Sequence, residues 1–165
     1  MTYDVAIRWL EQRGVPLSAI AEIVLELQLP YNSTLELDQC LDSVKAVLQK
    51  REVQYTLFTG IALDLMAEQK KLPEPLQSML AADESLYGVD ETLALGITSM
   101  YGMIGLTSFG YLDKSKMGIL RELNNNKQQV HVFLDDLVAG IAAAASSRIA
   151  HQDKKANTYT SDSTI

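Results

Sequence analysis

Cysteine is almost missing from this chain. Cys40 stands alone, so no disulfide can close within it, and a reducing compartment such as the cytoplasm is the expected setting. The residue itself reads as a small buried hydrophobe. Proline is limited to positions 16, 30, 73 and 75, which leaves long stretches open to uninterrupted helix. Aromatic residues make up only 7% of the chain, whereas Leu, Ala, Glu, Gln and Met, which lose least on entering a helix, are plentiful; an all-α class is the expectation. Positive charge is never concentrated. The formal balance is −7 and Lys and Arg fall together in twos or threes at most, so there is no electrostatic footprint for nucleic acid or an anionic bilayer.

Long hydrophobic runs are lacking too. Asp4, Arg8, Glu11 and Arg13 interrupt the first residues, which excludes the apolar core of a signal peptide there. The longest weakly polar run, Leu137 to Ala145, stops before Ser146, Ser147 and Arg148, well short of the roughly 20 residues a bilayer requires. No transmembrane segment is expected, and no basic, aromatic-rimmed helix stands out for a membrane surface, although an amphipathic edge suits transient membrane contact.

What is present is enough apolar material for one core. With 165 residues, 47% of them hydrophobic, the chain reads as a single helical domain over 1–151 followed by a polar, aperiodic tail over 152–165. Helices are expected before Gly14, from Pro16 to Pro30, from about Leu37 to Leu48, and over Val53 to Met66, so that 1–72 forms an N-terminal group of helices. A loop follows at Lys70 to Pro75, then one or two turns at Leu76 to Leu80. A longer helix is predicted from Asp90 past Met100, weakened by Gly102, Gly105 and Gly110. A short helix over Asp113 to Leu123, a turn at Asn124 to Asn126, and a strong helix from Val130 to His151 complete the chain. The small face of that last helix (Ala139, Gly140, Ala143, Ala144 and Ser147) marks it as the central helix of a bundle. Small and apolar stripes of this kind also favour a homo-oligomer.

Carboxylates fall beside small or apolar residues in three places: Asp83 with Asp90 and Glu91; Asp113 after the glycine-rich connection; and the adjacent pair Asp135 and Asp136. Neighbours on a helix point about 100° apart, so one of each pair can face the core and the other its edge. Carboxylates gathered in a partly buried cleft repel one another, and a hard cation such as Mg²⁺, or Mn²⁺ in its place, removes that penalty. The plainer reading is that both pairs sit in the first turns of their helices, where negative charge is favoured. His131 precedes Asp135 by four residues, which on a continuous helix puts it on the same face, able to orient that acid; a structural or exposed histidine is the simpler reading, and His151 reads as exposed.

The segment Asp83-Glu84-Ser85-Leu86-Tyr87-Gly88-Val89-Asp90-Glu91 resembles the acidic motif of the phosphatidylglycerophosphatase A family. Phe109-Gly110-Tyr111-Leu112-Asp113-Lys114-Ser115-Lys116 is similar to the family's aromatic-rich Asp-x-x-Lys motif, and Leu134-Asp135-Asp136-Leu137-Val138-Ala139-Gly140 to its closing Asp-Asp-x-x-Ala-Gly motif. These motifs cover 83–140. Ahead of them, Lys50-Arg51-Glu52-Val53-Gln54, Gly60-Ile61 and Asp64 resemble the soluble branch of the family in Gram-positive bacteria. Glu84 and Met117 stand where the family usually has prolines, and Ala94 where a glycine follows the Asp-Glu pair.

The resemblance implies Mg²⁺-dependent removal of the terminal phosphate from phosphatidylglycerophosphate. Asp83, Asp90, Glu91, Asp113, Asp135 and Asp136 then become metal-site candidates, with Asp90, Glu91 and Asp136 as catalytic candidates and Lys116, with Lys114, as phosphate contacts. A water or a carboxylate can serve as the nucleophile. The substrate can be the phospholipid headgroup or a small soluble phosphate ester. Two other readings compete: an all-α nucleotide pyrophosphohydrolase, against which the adjacent acid pairs argue, and a non-catalytic helical module of the same fold that binds a partner.

Overall fold

The structure is a computed structural model and describes residues 2–152. Helices α1 (Thr2–Gln12), α2 (Leu17–Gln28), α3 (Leu37–Leu48) and α4 (Arg51–Glu68) form the N-terminal group. After them come the short α5 (Leu76–Ala81), α6 (Val89–Thr98), a 3-10 turn (Ser99–Tyr101), α7 (Gly102–Ser115), α8 (Ile119–Asn125) and α9 (Leu134–Gln152). No strand occurs among the described residues. The all-α class follows from that. The tail expected at 152–165 lies, beyond Gln152, outside the described residues.

Helix α9 is the axis on which the others pack. Every residue from Leu134 to Ser147 is buried, and α2, α3, α4, α6, α7 and α8 all contact it. A helix buried all round needs small side chains where its neighbours cross. Gly140 shows why: a Cβ there would stand 3.3 Å from the backbone oxygen of Ala94 and 3.5 Å from its Cβ. Helices α6 and α9 therefore touch almost backbone to backbone at Ala94 and Gly140. Gly140→Val is expected to lower stability by about 2 kcal/mol through overpacking, measured by urea denaturation. A variant within about 0.5 kcal/mol of the parent, the range of ordinary surface substitutions, would show that the close approach does not hold α6 in place.

The N-terminus of α9 is built by distant side chains rather than by its own sequence. Buried Asp64, on α4, accepts the backbone N–H groups of Phe133 (3.1 Å) and Leu134 (3.0 Å). Just before, Arg13 donates to Glu68 and to the carbonyl of Val130, and Glu68 accepts the N–H of Val130. This is the physical reason that the helix begins at Leu134 and not at Val130, where periodicity predicts it. Arg13, just past α1, and the side chains of α4 claim the backbone groups of Val130, Phe133 and Leu134. Burial alone would raise the Glu68 carboxyl, but the Arg13 guanidinium and the Val130 N–H reverse that and hold it below its ordinary value.

Three other boundaries differ from the sequence reading. Gly105 and Gly110 lie inside α7, and the break falls instead at Gly102, whose φ of +74° is left-handed. Gly105 is packed rather than loosened: a Cβ there would come within 2.8 Å of the Thr98 carbonyl. The short helix expected over Asp113 to Leu123 is cut in two. Asp113 belongs to the end of α7, Lys116 caps that helix in the left-handed conformation, and Gly118 also takes positive φ before α8 begins. Asn124 and Asn125 close α8 and leave only Asn126 outside it.

A search for unbroken apolar runs does not pick out the segment Val89–Ser115. By length and composition it is apolar enough to cross a membrane, and only 28% of its apolar window is buried. Its break at Gly102 and its scattered Thr and Ser hide it from a search for unbroken runs. Met103 and Tyr111 are its most exposed large apolar side chains.

Candidate functional site

The N-termini of α6 and α9 meet the C-terminus of α7 around a cleft of about 190 Å³. Asp83, Asp90, Glu91, Asp113, Asp135, Asp136 and Lys116 line it, together with Glu84, Ser85, Gly88, Asn124 and Val132. All three acidic motifs thus share one wall-to-wall space. Lys114 does not line the cleft; it is exposed one side of the helix away from Lys116. Glu84 and Ser85, which lie within the first acidic motif, and Asn124 were not among the site candidates read from the sequence, and Asn124, read as part of a plain turn, carries no sequence signal for this position.

Local structure places each acid. Gly88, at φ +67°, reverses the chain and opens α6, so that Asp90 and Glu91 fall in its first turn. Asp90 is half-buried and Glu91 exposed, as expected for neighbours 100° apart. Asp135 and Asp136 fall in the first turn of α9 but are both buried, because this end of the central helix is itself covered. One Asp135 oxygen accepts the N–H of Asp136 at 2.9 Å. Both acid pairs therefore do stand at helix N-termini, where the partial positive charge favours them, and they converge as well.

The centre of the cleft is occupied by an ammonium. Lys116 Nζ donates to Asp113 Oδ1 and to Asp135 Oδ2, each at 2.8 Å, and lies 3.7 Å from Asp136 Oδ1. One positive charge among so many acids does not neutralise them. Burial, then the neighbouring Asp135 charge, pushes the Asp136 carboxyl far above its ordinary value. Burial raises Asp135 even with Lys116 beside it. Asp90 is raised by burial, against the pull of its helix's first N–H groups and with the push of Asp83 and Asp113. Its Oδ1 is shielded from water and has no hydrogen-bond partner.

His131 does not orient Asp135. Its backbone carbonyl accepts the N–H of Asp135 at 3.4 Å just ahead of α9, but its ring faces Gln129, with Nε2 3.0 Å from that side-chain oxygen. Burial, and then the Arg13 charge, lowers its pKa.

The sequence model of the phosphatidylglycerophosphatase A family matches residues 6–151. The chain belongs to this family. Among its relatives, the uncharacterized protein YutG of Bacillus subtilis (strain 168) is 56% identical over 144 residues, covering 87% of this chain and 87% of that protein. The uncharacterized protein YpjQ of the same organism is 53% identical over 148 residues, covering 90% and 84%. The crystal structure of the low temperature requirement C protein from Listeria monocytogenes superposes with a TM-score of 0.89 at 55% identity, covering 92% of this chain and 96% of that one. Family membership extends beyond the acidic motifs into α1 to α4, so Asp64, Glu68 and Arg13 lie within the matched region.

Proposed function

We propose that this chain is a divalent-metal-dependent phosphomonoesterase of the phosphatidylglycerophosphatase A type. The observation that carries the reading is the convergence of Asp83, Asp90, Glu91, Asp113, Asp135, Asp136 and Lys116 on one small cleft. The donor chemistry fits Mg²⁺ or Mn²⁺: the groups are carboxylate oxygens, the ligands hard cations prefer. The unpartnered Asp90 Oδ1 and the raised carboxyls of Asp135 and Asp136 mark a site short of positive charge. With the side chains arranged around Lys116, no three Asp, Glu, His or Cys side chains among the described residues stand so as to hold a metal ion. Holding an ion therefore requires their rotation.

Asp90, Asp113, Asp135 and Asp136 are the residues we assign to holding the cation, with Asp83 and Glu91 at the rim. When bound, the metal supplies polarisation of the phosphoryl oxygens and a more acidic water. The protein supplies the rest. Lys116 places a positive charge where phosphate negative charge must be offset, and a carboxylate of the cleft left unligated serves as base. The N-termini of α6 and α9 add their own pull on an anion.

Cleft size bears on the substrate. Sites that enclose a whole small molecule run to about 300–1,000 Å³, so about 190 Å³ suits a terminal phosphate with the remainder of the ester outside. Leu86, in the loop after Asp83, and Val89, the first residue of α6, are exposed, which gives the approach to the cleft an apolar element suited to a lipid ester. The test is release of orthophosphate from phosphatidylglycerophosphate in mixed micelles and from soluble phosphomonoesters, with Mg²⁺ and with chelator. Metal-dependent orthophosphate is the expected product. Pyrophosphate from a nucleoside triphosphate would instead make the chain a pyrophosphohydrolase, and metal binding without any hydrolysis would make it a binding module.

A further inference from the structure

We propose that the Lys116 ammonium is a tethered competitor of the divalent cation, holding the same place among Asp113, Asp135 and Asp136 and leaving it when the cation enters. The inference rests on the reading of this cleft as a cation site and concerns how that site is kept when no ion is bound.

The backbone that carries Lys116 is fixed. Its N–H donates to the Leu112 carbonyl at 2.9 Å as the C-cap of α7. Two residues on, Gly118 lies so close to α2 that a Cβ would meet Ile23 at 3.2 Å. What can move is the side chain, a flexible stem ending in a compact charge with three donors. It lies over Asp113, Asp135 and Asp136 at 2.8, 2.8 and 3.7 Å. The side chain is 23% exposed, so the way out toward solvent is open.

An ammonium and a divalent ion a few ångströms apart repel each other strongly in a partly buried site. They cannot both be held by the same oxygens. The three carboxylates would otherwise face one another without compensation, and Lys116 relieves that in the empty cleft. Cation entry then means exchange of one positive charge for two, and the released ammonium is left at the mouth of the cleft, where the anion of a phosphate ester arrives. Cation binding and phosphate recognition are in this way parts of one movement, and the affinity for the ion is lower than the carboxylates alone would give.

The experiment is calorimetric titration of the full chain with Mn²⁺ alone, at fixed pH and ionic strength, comparing the parent with Lys116→Met. The variant is expected to bind about tenfold more tightly or better, and to melt at lower temperature than the parent without metal but not with it. Equal or weaker binding by the variant, beside a parent that binds, overturns the proposal and leaves the cation site standing. Absence of Mn²⁺ binding by both removes the cation reading itself. Should Lys116→Met fail to fold, acylation of the parent read by peptide mass spectrometry decides: Lys116 should react several-fold faster with Mn²⁺ bound while Lys114 is unchanged. An unchanged Lys116 rate in a metal-loaded parent overturns the proposal.

Discussion

Asp136→Asn is expected to lower metal-dependent phosphate release by about 10³-fold, the scale on which removal of one charge-handling group acts on a preorganised site. The substitution keeps the shape of the side chain and removes the most strongly perturbed carboxyl of the cleft. That carboxyl is raised by burial and by Asp135, so the empty protein loses nothing when it becomes neutral. The metal-free variant should keep the parent's helix content by circular dichroism and melt at the same or a higher temperature. Asp90→Asn should behave alike, because Oδ1 of Asp90 has no partner to lose in the empty protein. Parent-like turnover by both variants would place the chemistry elsewhere.

Removal of Asp64 should be the largest single-residue effect on stability. Asp64→Ala leaves the N–H groups of Phe133 and Leu134 buried without the acceptor they have at 3.1 and 3.0 Å, a loss of about 2–4 kcal/mol. Chemical denaturation of the metal-free chain is the measurement. Asp64→Asn keeps an acceptor and isolates the charge. Burial raises the Asp64 carboxyl to about 7, against the lowering effect of the two backbone N–H groups and Arg13, whereas an unfolded chain holds it near the ordinary value of about 3.9. The folded state therefore keeps the proton over the window between these values. The stability this gives is fully present below the unfolded pKa and is lost as pH rises from about 4 to about 7. Relative to the parent, Asp64→Asn should gain stability over that window, by a few kcal/mol in all, and no more beyond it. A difference between the two that does not change with pH would mean that Asp64 is already ionised in the folded protein.

Much of this was legible in the sequence, for reasons that can be traced to particular residues. Pro16, Gly14 and Pro30 punctuate the N-terminal helices because their backbone limits are intrinsic, and α2 runs between them from Leu17 to Gln28. The small residues of α9 announced close neighbours, and Gly140 against Ala94 is the contact they permit. The acids were visible through motif spacing. Less visible was anything decided by a partner distant in the chain. The start of α9 is set by Asp64, Glu68 and Arg13, which no local pattern reveals. The division of the Asp113 to Leu123 stretch depends on Lys116 accepting left-handed backbone, a conformation that its residue type does not advertise. That same turn carries its ammonium into the cleft, whereas Lys114, two positions earlier and equally basic, faces solvent.

The cleft's claim to be a divalent-cation site is tested most directly by anomalous diffraction from a crystal loaded with Mn²⁺. A peak is expected between α6, the end of α7 and the start of α9, within ligand distance of oxygens from Asp90, Asp113 and the Asp135–Asp136 pair, with the Lys116 ammonium drawn away. A fully loaded crystal showing no peak there, and Lys116 still bonded to Asp113 and Asp135, would contradict that claim.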